Sequence, residues 1–485
     1  MNPVVRTGRG RRAATAPTAA LALTVAAVLA GCASQGTSLP KAEPLSAERL
    51  GLDTAPAPAV APQWWQALGD PALDALIEQA LRDQPDLRQA AARFAQAEAA
   101  LQVQGAADDV HVSQTVDANR RRFSANGIYP APLGGNWWNL GTVQTSASWE
   151  FDYFGRQRAA LAAAMGQRDA AAAEVSAARL TLASQIARGW IALGQALGQK
   201  AVLQSLLEQR DRMLALIRQR VDAGLDTAVE LRQGEGALPD ARAQIEALDE
   251  QVALLRHQLA ALAGQGPQAL RDATPKLPAG AFAPPVEALG LDVLAHRPEV
   301  QAARWRAEAA ARQIDVTRTA FYPDIRLTAF IGLDALGFGD VLRSDSRQLG
   351  TGAALHLPLF DGTRLRGQLR GKEADYNAAV EQYNAVVLAS LREAADALTS
   401  RDSVQRQQAQ QAEALRHAES AYDLATQRYR AGLSNYLTVL NAETQVLQQR
   451  RLAIDLQARH AQSQVALMKS LGGGWRAEPQ PQPQP

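Results

Sequence analysis

The side chains able to do covalent, acid–base or metal chemistry are few in this 485-residue chain, and they are poorly placed for it. The 6 histidines, His111, His257, His296, His356, His417 and His460, never fall in a ligand-like cluster. No HExxH helix, no phosphate-cradling Gly-rich loop ending in Lys-Ser/Thr and no nucleophile-elbow serine occurs. Gly350-Thr351-Gly352 sits inside an alternating stretch and reads as tight strand packing. Carboxylates are plentiful but mixed with arginines along helical faces, the pattern of a solvated surface. A protein that is not an enzyme, with neither metal nor cofactor, is the expectation. The remaining reactive group is the thiol of Cys32, the only cysteine, which excludes a disulfide scaffold. It closes a segment that opens on Arg6, Arg9, Arg11 and Arg12 and continues through apolar residues from Ala19 to Ala30. That segment is too short to span a bilayer and is ordered as a secretory signal.

The run Leu29-Ala30-Gly31-Cys32 resembles the lipobox of bacterial lipoproteins. The resemblance implies a signal peptide over residues 1–31, cleavage before Cys32, and N-acyl and S-diacylglycerol chains on that residue. With Ala33 and Ser34 following, and no Asp, it also implies delivery to the outer membrane of a Gram-negative cell. Three acyl chains exceed the two signals that stable anchoring needs. Cleavage removes four arginines and no acidic residue, leaving 46 basic against 49 acidic side chains, a formal −3. Electrostatic binding of nucleic acid is therefore not expected. At 47% hydrophobic but 5% aromatic residues, the apolar mass is mostly Ala, Leu and Val, which points to long helices packed through small side chains.

Positioning elements emerge from an internal repeat. Asp83-Gln84-Pro85-Asp86-Leu87 matches His296-Arg297-Pro298-Glu299-Val300; Phe151 to Arg156 matches Leu357 to Gly362; Gln219 to Leu225 matches Gln427 to Leu433. The three pairs are collinear and each is separated by about 205 to 215 residues. The chain accordingly divides into a lipidated linker (32–62), a first repeat (63–270), a second repeat (271–472) and a Pro/Gln-rich tail (473–485) that ends in the disordered-type run Pro479–Pro485.

Each repeat reads as helix, two strands, long helix, sharp turn, helix. Neither Arg156 to Ala223 nor Thr363 to Ala431 contains proline, and at ~1.5 Å per residue each stretch could reach roughly 100 Å. Leu203, Leu207, Leu214, Ile217 and Val221 form a 4-3 stripe in which Arg210 stands where an apolar residue is due. Leu415, Ala418, Tyr422, Ala425 and Tyr429 continue one in the second repeat; Leu248, Val252, Leu255, Leu259 and Leu262, then Leu437, Leu440, Thr444 and Leu447, supply the returning helices. Stripes alone fit either a helical barrel or a solvated coiled coil. Four strands are expected around Val110–Asn119, Val143–Phe151, Ile325–Leu333 and Leu349–Leu359, with loops over Arg120–Asn136 and Ala335–Asp345. Their period-2 alternation is that of a membrane strand with one lipid face and one wet face, although Gln114 interrupts it in the first. An open sheet edge is not tolerated in lipid, so inserted strands require association of several chains.

Taken together, the lipobox, Trp64-Trp65 leading into Asp70-Pro71-Ala72-Leu73, Arg297-Pro298-Glu299-Val300, Phe321-Tyr322-Pro323-Asp324-Ile325, Pro358-Leu359-Phe360-Asp361-Gly362 and the two Gly-Leu turns resemble the TolC-like outer-membrane efflux family, in its lipidated drug-efflux branch. The resemblance covers essentially the whole mature chain. It implies a mixed, mainly α fold: a homotrimer with a twelve-stranded β-barrel, four strands per chain, above a coiled-coil α-helical barrel in the periplasm. It implies a passive efflux duct joined by a periplasmic membrane-fusion adaptor to an inner-membrane transporter of the resistance-nodulation-division type, and a role in multidrug resistance. Gly224, Leu225, Gly432 and Leu433 would be the adaptor-docking tips, and Thr438, Asn441 and Glu230 the periplasmic gate. Where relatives place acidic gate residues, this chain has Thr438 and Asn441, leaving Glu230 to supply charge. A lipid-anchored periplasmic adaptor, or a structural coiled coil without a pore, is the competing expectation.

Overall fold

The computed structural model describes residues 37–50, 60–278, 280–284 and 292–476; the signal segment, Cys32 and the tail run Pro479–Pro485 lie outside them. The chain forms two compact units, interleaved in sequence. One is drawn from the segment ending at Glu43 and from residues 97–168 and 306–380; the other from residues 44–96, 169–305 and 381 onward. Helices α1 (Pro71–Asp83) and α2 (Pro85–Gly105) precede strands β1 (His111–Arg122) and β2 (Trp137–Glu150). Helices α3 (Arg156–Asp222) and α4 (Ala228–Leu262) follow. Then come α5 (Pro298–Thr319), β3 (Asp324–Leu336), β4 (Arg347–His356), α6 (Gly362–Arg430) and α7 (Tyr436–Ser470), so the element order occurs twice.

In the first unit the strands form one antiparallel sheet of order β1-β2-β3-β4, with the outer edges of β1 and β4 unpaired. Register places Val112 opposite Ala147, Val116 opposite Val143, Ala147 opposite Ala329 and Ile331 opposite Leu349, which collects the apolar residues on one face. The other face is polar and bonded across strands: Thr142 Oγ1 donates to Asp334 (2.7 Å) and Gln348 Nε2 to Gln144 Oε1 (3.2 Å). Gly350 lies there beneath the Phe330 ring, which a Cβ would meet at 2.6 Å; close strand packing explains that Gly-Thr-Gly run. Several expected boundaries shift: β2 already begins at Trp137, paired with Arg122, and β3 runs on to Leu336, paired with Leu140, while β4 begins at Arg347. β1 runs on through Arg122, because Asn119 to Arg122 still pair with Leu140 to Trp137, and β4 stops at His356 because Pro358 has no N–H for a ladder. At the helix-bearing end, rings run in contact from Trp149 to Phe151 (5.6 Å), Tyr153 (6.2 Å), Phe154 (5.0 Å) and Tyr322 (4.8 Å). Ile314, Phe321, Leu365 and Leu369 form the small core beside them.

The extended stretch from Leu39 is strapped to α6 by side chains that stand in for a neighbouring strand. Leu39 N–H donates to Glu373 Oε2 and Ala42 N–H to Asn377 Oδ1, both at 2.9 Å, while Asn377 Nδ2 returns a bond to Pro40 O.

In the second unit the core is built of Trp64, Leu73, Ile77, Ile186, Leu193, Leu259 and Val465. α3 stays continuous across Gly189 because its bare backbone accepts Leu259, which a Cβ would meet at 2.9 Å. α5 begins on Pro298, whose missing N–H costs nothing at a first helical position. The preceding Arg297, 2% exposed, donates to Ser390 O (3.0 Å), Glu393 (2.7 Å) and Glu299 (2.5 Å), so its buried charge is fully paired. The stripes on α3, α4 and α6 are buried or half-buried where expected. That on α7 is displaced by one residue: Leu437 and Thr444 are exposed, and Tyr436, Val439, Glu443 and Val446 are buried instead. Arg210 on α3 is the physical reason, since a buried guanidinium needs a carboxylate facing it.

Candidate functional site

Both long helices end in the same reversal. Gly224 (φ +74°) and Gly432 (φ +75°) take the left-handed conformation that only glycine adopts without cost. Gly224 N–H donates to Val221 O (2.9 Å) and Leu225 N–H to Arg220 O (2.8 Å); Gly432 N–H donates to Tyr429 O (3.0 Å) and Leu433 N–H to Arg428 O (2.8 Å). This pair of bonds satisfies the last carbonyls of each helix and tips the next residue outward. Leu225 and Leu433 are accordingly 66% and 68% exposed.

Each returning helix starts on a side-chain cap. Thr227 Oγ1 accepts from Val229 N–H, and Glu230 accepts from the Thr227 N–H (2.9 Å) and hydroxyl, closing a reciprocal capping box. Those bonds, the hydroxyl's first, hold the Glu230 carboxyl below its ordinary value. Asn435 Oδ1 accepts the Thr438 N–H (3.2 Å) and hydroxyl (2.9 Å). Two of the three residues expected at a gate thus serve as cap partners, and Asn441 is exposed one turn beyond Thr438 on the same side of α7.

The side chains that join the two reversals are ones the sequence did not single out for that role. Asp226 receives Arg220 through Nε (3.0 Å) and an η nitrogen (3.2 Å), and the Tyr429 hydroxyl donates to it at 2.5 Å. The Arg220 guanidinium lies 4.7 Å over the ring of Tyr429, which is fully buried. Burial acts to raise the Asp226 carboxyl, but the hydrogen bonds from Arg220 and Tyr429 outweigh it and leave the group below its ordinary value. Burial, with the Asp226 bond, raises the Tyr429 hydroxyl far above its own, so the phenol stays a donor. Further along the helices, Arg210 Nε donates to Glu443 Oε2 (2.9 Å) and Nη1 to Ala237 O (2.8 Å). Part of the signal was present: Arg210 is a charge set within an apolar stripe and Tyr429 closes another, whereas Glu443 lies beside the stripe expected on α7.

Paired hairpin turns of this build, and a sheet with one apolar and one polar face, invite comparison with known channels. The profile of the outer membrane efflux protein family matches residues 76–265 and again 289–473. The chain belongs to that family. As a member it is 33% identical to the multidrug resistance outer membrane protein MdtP of Shigella flexneri, over 86% of this chain and 87% of that protein. It is 36% identical to the fusaric acid resistance protein FusA of Burkholderia cepacia, over 74% and 70% respectively. The crystal structure of the outer membrane protein VceC from Vibrio cholerae superposes with a TM-score of 0.81 at 34% identity, covering 86% of this efflux protein and all of VceC. No described helix is long and apolar enough to cross a membrane.

Proposed function

We propose that this outer membrane efflux protein is the passive exit duct of a tripartite drug-efflux pump, active as a homotrimer. The observation that carries this is the four-stranded sheet, apolar on one face, polar on the other and unpaired at both edges. A sheet with open edges is unstable in lipid, and three copies joined β4 to β1 close it into twelve strands around a wet interior. The exposed turns at Leu225 and Leu433 then dock a periplasmic membrane-fusion adaptor, which links the duct to an energised inner-membrane transporter of the resistance-nodulation-division type. Acylation of Cys32 fits the strap: the ~7 residues between it and Leu39 extend at most ~25 Å, while Glu373 lies only ~17 Å along α6 from its start. The acyl chains can thus reach the level of the strand ends.

The gate in this reading is the Arg220–Asp226–Tyr429 cluster, with Thr438, Asn441 and the anionic Glu230 lining the constriction. Asp226→Asn is expected to raise leak conductance in planar bilayers several-fold, and an unchanged conductance rejects the gating role. Because the folded Asp226 carboxyl titrates below its unfolded value, its contribution is present above about pH 4 and is lost as pH falls through the lower, folded value. Wild-type leak should therefore rise only in acid below the ordinary carboxylate range. The duct itself is tested by heat-sensitive trimer migration together with conductance of the detergent-extracted protein; a non-conducting monomer, soluble once delipidated, overturns it. Cys32→Ala should abolish acylation yet leave membrane association, and complete loss of association contradicts insertion through the strands.

A further inference from the structure

The charges on the sheet are sorted by face and by height. Register puts Val112, Val116 and Ala118 of β1 on the apolar face with alternate residues of β2, β3 and β4, and continues that face up β1 to Arg120 opposite Asn139 and Arg122 opposite Trp137. On β4 the same face begins at Arg347, opposite Leu333. All four strand carboxylates, Asp117, Glu150, Asp324 and Asp334, fall on the polar face. The apolar face therefore carries three cations and no anion, and all three stand at the loop-bearing end, away from the helices. Their existing contacts leave the charge uncompensated: Arg120 lies 5.9 Å from the Trp137 ring centroid, Arg122 Nε donates to Gly135 O (3.3 Å) and Arg347 Nε to Ser344 O (2.9 Å). Among the described residues none of the three has a carboxylate in ion-pair range. By contrast Arg343, in the adjoining loop, is paired with Asp340 (3.0 Å). The helix-bearing end of the face, at Trp149 and Phe151, presents aromatic rings and no arginine.

A membrane interface by itself asks only for amphipathic rings, and those would serve equally at both ends. A cationic patch at one end alone, built of a side chain whose planar fork matches phosphate oxygens, matches a leaflet whose headgroups carry phosphate at high density. We propose that Arg120, Arg122 and Arg347 form a binding site for the phosphorylated glycolipid headgroups of the outer leaflet, with the β1 pair of one protomer and Arg347 of its neighbour brought together where the sheet edges meet. The proposal rests on the outer-membrane trimer reading. The bound phosphates replace the missing carboxylates, so the lipid tightens the seam between protomers as well as seating the barrel at its depth.

The test uses full-length protein in detergent micelles and fluorescent lipid A carrying both phosphates. Wild type should bind it, and Arg120→Gln/Arg122→Gln/Arg347→Gln should bind at least ~10-fold more weakly. Arg121→Gln, on the opposite face, should bind like wild type. Equal affinity of wild type and the triple variant, equal affinity of wild type for dephosphorylated lipid A, or full displacement by millimolar inorganic phosphate overturns the site. Should the triple variant fail to assemble, Arg347→Gln alone must weaken binding by ~3-fold or more, and no change in it overturns the proposal equally. Conductance of the same preparations keeps the two readings apart. A conducting wild type that ignores lipid A sinks only the headgroup site, whereas a wild type that never conducts sinks the duct.

Discussion

Glu443→Ala should destabilise the helical unit by about 3–5 kcal/mol, seen as a lower denaturant midpoint and earlier loss of helical circular dichroism. The carboxylate is 7% exposed, faces Arg210 at 8%, and is bonded to it at 2.9 Å. Deleting it strands a buried guanidinium whose nearest other carboxylate, Asp240, is 3.6 Å away and largely in solvent. Much of the loss therefore reflects the orphaned charge more than the worth of the pair. It follows that Arg210→Met/Glu443→Met, which fills the same volume with apolar atoms, should recover most of the stability. A double variant as unstable as the single one would overturn this account. The pH dependence has a definite sign as well. Burial outweighs the attraction of Arg210 and holds the Glu443 carboxyl above its ordinary value. The folded state binds that proton more tightly, so the group's contribution is complete below about pH 4.5 and is lost as pH rises through the folded value. Glu443→Gln should flatten that part of the stability profile.

This same pair marks where reading the sequence stops working. The long helices were legible almost to the residue, because the absence of proline over 156–223 and 363–431 and the Gly-Leu motif after each leave few alternatives. β2 and β3 were legible from strict alternation, and β1 less so, since Gln114 and the arginines at its outer end disguise a face that register with β2 defines. On α7 an apolar scan prefers Leu437, Leu440, Thr444 and Leu447, yet the buried set starts at Tyr436 and passes through Glu443. Only the partner, more than two hundred positions earlier in the chain, makes a carboxylate a core residue. The site divides in the same way. Its turn glycines are dictated locally by backbone conformation, whereas the Asp226–Tyr429 bond joins segments that no local pattern connects.

The docking reading leads to the sharpest functional consequence. Leu225→Asp together with Leu433→Asp should abolish export in cells that hold the cognate adaptor and transporter, reducing drug tolerance to that of a deletion strain. Both leucines are about two-thirds exposed, so the isolated chain buries little of either side chain. Surface changes of that kind cost roughly 0.5 kcal/mol or less, and trimer formation and thermal stability should be unchanged. On a docked complex the effect is far larger. Each leucine side chain covered by a partner contributes about 1.5–3 kcal/mol, and a carboxylate in its place must also be desolvated without a counter-ion. With two such knobs per protomer, affinity for the adaptor should fall at least ~100-fold even if only one knob is covered in each protomer. Leu225→Ala/Leu433→Ala, which removes apolar area without adding charge, should fall between wild type and the aspartate variant in both adaptor cross-linking and drug tolerance. Planar-bilayer conductance of the aspartate variant should stay normal, which separates loss of docking from loss of the channel. Undiminished export by a variant that is correctly assembled would show that the adaptor contacts some other surface.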